Sequence, residues 1–262
     1  MLALSSGDDK MQAEVYHLFH SGTAVRVKDK LFIFDYFKDE PQRERAVASS
    51  LEKGVVREES FKNINEAYVF VSHSHHDHYN QVIFEWEKYC DQINYILAAE
   101  VELKSDLKNK DNLYLMEKDE ELKLGNVEIS SYGSTDEGVS FLVELEDLSI
   151  FHAGDLNWWK WKKFSAKVQK REEREYKREV DKLTGKQLDI AFVPVDPRLE
   201  EHFYLAGDYF ITEIRPSLFV PIHFGDNYDV TKFFRDRFNS NQTRVAEINE
   251  PGEKILYTKK EA

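Results

Sequence analysis

Apolar runs broken by short polar turns dominate the beginning of the chain. Val15 to Phe19, Thr23 to Val27 and Leu31 to Phe34 are separated by Ser21-Gly22 and Lys28-Asp29-Lys30, a spacing that predicts an antiparallel meander. Residues 38–66 are polar and helix-permissive, with a helix expected over Arg43 to Lys53. The apolar run Val69-Phe70-Val71 then reads as a strand, and Tyr79 to Tyr89 as a helix. Tyr95 to Ala98 and Leu113 to Met116 are short strands. Val127 to Ser131, Val139 to Leu145 and Ser149 to Ala153 make a second strand-rich set, with Glu146-Asp147 as a turn.

The pattern changes over residues 157–187. Trp161, Phe164, Val168, Tyr176, Val180 and Leu183 recur at helical spacing, interrupted by Glu172, which predicts a long surface helix docked by an apolar stripe. Ten basic and five acidic residues between Lys160 and Lys182 form its solvated face. Beyond it, Asp189 to Val195 and Leu218 to Ile222 are buried-type strands, and Tyr209 to Ile214 and Val230 to Phe238 are helices. Val245 to Ile248 and Lys254 to Tyr257 close the β-structure. Strands with interspersed helices, twice over, predict an α/β fold of two face-to-face sheets with helices outside.

A chain of 262 residues can bury a full core. One domain is expected over residues 13–262, with residues 1–12 set apart as a leader without periodic pattern and 157–187 as a helical insertion. No apolar run approaches the roughly eighteen residues of a membrane span, and no signal-peptide core precedes the fold. The single Cys90 cannot form an internal disulfide, which points to a reducing cytoplasm. A net charge of -13 argues against nucleic acid as a partner while leaving small anionic molecules open.

The candidate chemistry is concentrated at the end of the Val69-Phe70-Val71 strand. Four of the nine histidines lie in the hexapeptide His73-Ser74-His75-His76-Asp77-His78. His73 and His75 are two apart, so on an extended segment both rings leave the same side. Asp77 and His78 follow the turn and can reach a second position nearby. Imidazole with carboxylate suits zinc and similar divalent ions. His76 is expected to point away, and His17 and His152 to pack or hydrogen-bond rather than bind metal.

This hexapeptide, with Phe151-His152-Ala153-Gly154-Asp155 and Val220-Pro221-Ile222-His223-Phe224 following in order, resembles the signature of the metallo-β-lactamase superfamily. The resemblance is strongest to its ascorbate-phosphate-lactonase-like and phospholipase-like bacterial branch. It implies a four-layer αββα sandwich of two mixed sheets with helices on both outer faces. It also implies Zn2+, as one or two ions, with Mn2+, Fe2+ or Ni2+ as alternatives. One ion would take His73, His75 and Asp155; the other would take Asp77, His78, His223 and Asp155. His20 and Asp35 would lie at the rim of the site.

The pattern departs from the superfamily at one point. A third histidine is expected before the Gly-Asp strand, yet residues 131–138 contain none and Gly133 aligns with the missing ligand. Asp136, a water or nothing could replace it, and His202 offers another imidazole. Trp158 and Trp159 either line the pocket mouth or anchor the long helix. The expected activity is hydrolysis of a small ester, lactone or phosphodiester by a metal-bound hydroxide, with Asp77 orienting the water. The alternative is a metal-binding or sensing protein with a degenerate first site.

Overall fold

The computed structural model describes residues 10–41, 49–238 and 242–259. The chain order begins β1 (Gln12–Phe19), β2 (Gly22–Val27), β3 (Lys30–Phe34), β4 (Glu66–Val71), β5 (Ile93–Ala98) and β6 (Leu113–Met116). It continues β7 (Glu121–Leu124), β8 (Val127–Gly133), β9 (Val139–Glu144), β10 (Ser149–His152), α1 (Ala166–Asp181) and β11 (Ile190–Pro194). It closes with α2 (Leu205–Ile214), β12 (Leu218–Ile222), α3 (Asp229–Arg237), β13 (Arg244–Val245) and β14 (Glu253–Thr258).

These strands form two seven-stranded sheets, ordered β14-β1-β2-β3-β4-β5-β6 and β13-β12-β11-β10-β9-β8-β7. Each is antiparallel over one half and parallel over the other, the change falling at β3 in the first sheet and β10 in the second. The sheets pack face to face in a four-layer αββα sandwich. Its core joins Phe34 and Phe70 from one sheet to Phe141 and Phe192 from the other. The fully buried parallel strands β11 and β12 carry continuous apolar runs, as strands covered on both faces must.

Several expectations change at element ends. Strand pairing already begins at Gln12, opposite Thr258, so the fold reaches into the segment set apart as a leader; residues 1–9 lie outside the described residues. Most of the helix expected over Arg43 to Lys53 also lies outside them, and Leu51–Lys53 is a 3-10 turn. The segment after the histidine cluster is a 3-10 helix, Gln81–Lys88. Strand β7 was not expected, because Glu121–Leu124 is a half-exposed edge strand with charged residues at alternate positions. No helix among the described residues is long and apolar enough to cross a membrane.

Helix α1 is shorter than its stripe, since Trp161 and Phe164 precede its Ser165 N-cap. Its buried face holds Tyr176 and Val180 together with two carboxylates, Glu172 and Glu179. Glu179 accepts the Gly133 backbone N–H at 3.1 Å and an ion pair from Lys182 at 2.6 Å, which fastens the helix to the end of β8. A Cβ at Gly133 would lie 2.9 Å from that carboxylate. A side chain at 133 would therefore meet Glu179.

Candidate metal centre

The cluster forms where loops leave the C-terminal ends of β4, β10 and β12. Two glycines, Gly138 in the β8–β9 turn and Gly154 after β10, let the chain close around the first of these loops. Gly138 and Gly154 both have positive φ, and a Cβ on them would lie 1.9 Å from the Ser72 carbonyl oxygen and 2.6 Å from Ser72 Cβ respectively. Only glycine combines that backbone with such an approach. Ser72, immediately before His73, is thus held from both sides.

Two groups of donor atoms converge. In the first, His73 Nε2 lies 3.0 Å from His75 Nδ1 and 3.7 Å from Asp155 Oδ2. In the second, His78 Nε2 and His223 Nε2 lie 3.2 and 3.1 Å from Asp155 Oδ1, and Asp77 and His20 complete the group. The two oxygens of Asp155 therefore face different clusters. Ligands about 2.0–2.1 Å from a shared tetrahedral zinc stand roughly 3.4 Å apart, which these separations match. His78 Nε2, His20 Nε2 and Asp155 Oδ1 are buried without a hydrogen-bond partner, an arrangement a cation would relieve for those of them that offer a lone pair.

Surrounding acceptors aim the rings. Asp35 Oδ2 receives His78 Nδ1 at 2.7 Å, while its carboxylate also accepts Ser72 N and Oγ at 2.7 Å each. Ser72 Oγ stands 2.9 Å from His73 Nδ1. Asp196 Oδ2 meets His223 Nδ1 at 3.2 Å, and Glu137 Oε2 meets His75 Nε2 at 3.4 Å. Partners of this kind fix the tautomer and orientation of metal-binding imidazoles.

The electrostatics are those of a site built for positive charge. Burial opposes protonation of His78, but Asp155 and Asp35 carry it up to about 10. His223 rises against burial to about 9 through Asp155 and Asp196. Burial, reinforced by His78, pushes His73 down to about 4. Burial would raise Asp155, yet His223 and His78 hold it well below the usual carboxylate range. The His20 ring, against the cost of burial, keeps Asp77 depressed as well. Burial lowers His20.

The other expected residues separate. Asp136 lines the adjoining cavity, and burial and Asp155 raise its pKa, but it is not in either donor group. Glu137 is the acid that reaches His75, and it meets the outward nitrogen. His202 lies elsewhere, its Nδ1 on the Lys160 carbonyl at 3.0 Å. His152 bridges the sheets through Ser21, and His17 stacks on Phe224. The exposed His76 borders the cavity. Trp158 packs against Tyr176 of α1, whereas Trp159 stands edge-on to His223 and parallel to Trp161.

Asp196, Arg198 and Glu137 escaped the sequence reading. Asp196 had a usable signal, because Asp196-Pro197 follows β11, the parallel neighbour of the strand that delivers His223. A cavity of about 480 Å³ opens on the cluster, with an aromatic wall of Trp159, Trp161 and Phe164 and the guanidinium of Arg198. Arg198 forks onto Asp196 at 2.7–3.0 Å and lies 5.8 Å from the Trp161 ring centre.

No protein-family model matches the chain, and no curated protein matches it. Solved structures do share the fold. Igni18, a metallo hydrolase of the archaeon Ignicoccus hospitalis, is 18% identical with a TM-score of 0.63, covering 95% of this chain and 100% of its own. The metallo-β-lactamase fold protein YhfI of Bacillus subtilis is 13% identical with a TM-score of 0.59, over 95% and 100% of the two chains. CmlA, a diiron β-hydroxylase of Streptomyces venezuelae, is 10% identical with a TM-score of 0.57, over 97% of this chain and 55% of its own. The chain thus has the metallo-β-lactamase-like fold with two candidate metal-binding groups.

Proposed function

We propose that this protein is a hydrolase of a small anionic ester, lactone or phosphodiester, working with one or two divalent ions, zinc foremost. The observation that carries the reading is Asp155, whose two oxygens face separate histidine groups across a buried space with orphaned polar atoms. His73, His75 and Asp155 would hold one ion; Asp77, His78, His223 and Asp155 would hold the other. Bound there, the ions would supply Lewis acidity and a nucleophile available near neutral pH.

The remaining work falls to the chain's own groups. Asp35, Asp196, Ser72 and Glu137 keep the outward ring nitrogens protonated, so that inward nitrogens present lone pairs. Arg198 offers positive charge to an anionic substrate beside the cluster. Trp159, Trp161 and Phe164 exclude water and supply a surface for a ring or apolar group.

Metal content of purified protein, followed by a panel led by phosphodiesters and lactones, tests the proposal. Turnover abolished by chelation and by D155N supports it. Protein that carries metal yet cleaves nothing in the panel favours the sensing alternative, for which the three-donor first group is the specific argument. The diiron chemistry of CmlA on the same fold makes iron the second metal to load.

A further inference from the structure

We propose that His20 faces the second donor group as a hydrogen-bond donor to a substrate oxygen and does not belong to the ligand set. The inference rests on the reading of the cluster as a metal centre. At the nitrogen that points outward, His73 meets Ser72 Oγ and His78 meets Asp35. His75 and His223 have carboxylate oxygens of Glu137 and Asp196 there at 3.4 and 3.2 Å, with the Arg198 guanidinium also 3.3 Å from His223 Nδ1. Ser72 gives its own hydroxyl hydrogen to Asp35 and so can accept from His73. With the carboxylates and Ser72 accepting at the outward side, the inward nitrogens of these rings carry the lone pair once the rings are neutral, as metal binding requires.

His20 is reversed. Its outward Nδ1 stands 3.1 Å from the backbone N–H of Gly225, a group that can only donate. A neutral imidazole carries one hydrogen, so a ring that accepts at Nδ1 has its hydrogen on Nε2. His152 shows the same arrangement, with Gly154 N–H on Nδ1 and Nε2 donating to the Ser21 carbonyl at 3.0 Å. The difference is that Nε2 of His20 finds no such carbonyl. It is buried without a partner, 3.5 Å from Asp77 Oδ2, and directed among Asp77, His78 and His223.

The ring is not free to turn over. The His20 backbone has φ 55, and its carbonyl accepts the N–H of His223 at 3.1 Å. Ring and carbonyl together clamp residues 223–225, and presenting Nδ1 to the cluster would break the Gly225 contact and leave that N–H without its acceptor. Donor proximity makes His20 look like a ligand, but hydrogen accounting makes it an N–H. Asp77 Oδ2 is the oxygen it approaches, at a long 3.5 Å, and a carbonyl, phosphoryl or leaving-group oxygen of the proposed substrate would supply an acceptor at ordinary hydrogen-bond distance. A cavity of about 410 Å³ bounded by His20, Asp196, Arg198, His223 and Asn227 opens beside it. Arg198 borders both this cavity and the aromatic one, which again favours an anionic substrate.

The test needs no knowledge of the natural substrate. Protein labelled with 15N-histidine is compared by ring-nitrogen NMR before and after loading with Zn2+, and again with inorganic phosphate added. His20 should keep its Nε2–H throughout and respond to phosphate, while the inward nitrogens of the other four rings move on zinc loading. H20M should keep zinc stoichiometry and chelator-competition affinity within about threefold of wild type, whereas H223A should lose at least about tenfold. Phosphate affinity of the zinc-loaded protein should fall about tenfold in H20M and recover in H20Q, whose amide N–H reaches the same place. Loss of the Nε2–H on zinc loading, or a zinc affinity in H20M as low as in H223A, would overturn the proposal. Unchanged phosphate affinity in H20M would do the same. Failure of the hydrolase reading itself would appear separately, as zinc-loaded wild type that binds phosphate but turns nothing over.

Discussion

Asp35 offers the sharpest perturbation of the centre, because one carboxylate sets two ring tautomers. It is 1% exposed and accepts Ser72 N, Ser72 Oγ and His78 Nδ1, each at 2.7 Å. In D35N the amide oxygen can still take Ser72 N–H, but the amide NH2 then faces both Ser72 Oγ and His78 Nδ1. His78 must move its hydrogen to Nε2, the nitrogen that faces the cluster. Ser72 Oγ, now an acceptor of the amide, must turn its hydrogen toward His73 Nδ1, which drives His73 to the same wrong tautomer. A lost supporting partner of this kind typically costs about 10- to 100-fold in metal affinity, or roughly 1.4–2.7 kcal/mol. D35N should lose that much for zinc at both positions, read by chelator competition.

The same substitution also breaks a buried ion pair, at a cost of about 3–5 kcal/mol in the metal-free protein. The sign with pH follows from His78. Its pKa in the folded protein, about 10, lies above the ordinary value of about 6.5. Its stabilising contribution is therefore complete below about pH 6.5 and disappears as pH rises through about 10. Urea unfolding of chelator-treated protein should show a larger D35N penalty at pH 6 than at pH 10. Wild-type zinc affinity in D35N, or a penalty independent of pH, would refute the tautomer argument.

Zinc uptake at pH 7 should release about two protons, since His78 and His223 sit at about 10 and 9 without metal and must be neutral to coordinate; calorimetry in buffers of different ionisation enthalpy counts them. G138A forces a β-carbon to within 1.9 Å of the Ser72 carbonyl at φ 70, so it should cost at least about 2 kcal/mol and weaken zinc binding. W158A, which removes a ring packed on Tyr176, should destabilise by about 3–5 kcal/mol without altering KM in the folded fraction. W161A should leave the unfolding midpoint nearly unchanged and raise KM for any ring-bearing substrate, because Trp161 lies at the cavity mouth.

Much of the architecture is readable from local pattern. The strands β1 to β4, β8 to β12 and β14 follow from apolar runs and turns, and spacing within the hexapeptide already brought His73 and His75 together, although both lie in the loop just past β4. Identity of donor atoms and the proximity of consecutive residues are properties of short segments, so a linear reading reaches them. What only the tertiary structure decided concerns which nitrogen faces where. Asp35, Asp196 and Glu137 are far in sequence from some or all of the rings they orient, and nothing in a run of letters says which ring edge meets them. The split between Trp158 and Trp159, adjacent in sequence yet turned to the helix and to the cavity, has the same origin. His20 is the clearest case. It is a histidine among histidines until the fold sets the Gly225 N–H, 205 positions away, against its Nδ1, and that single contact separates a donor of hydrogen from a donor of electrons.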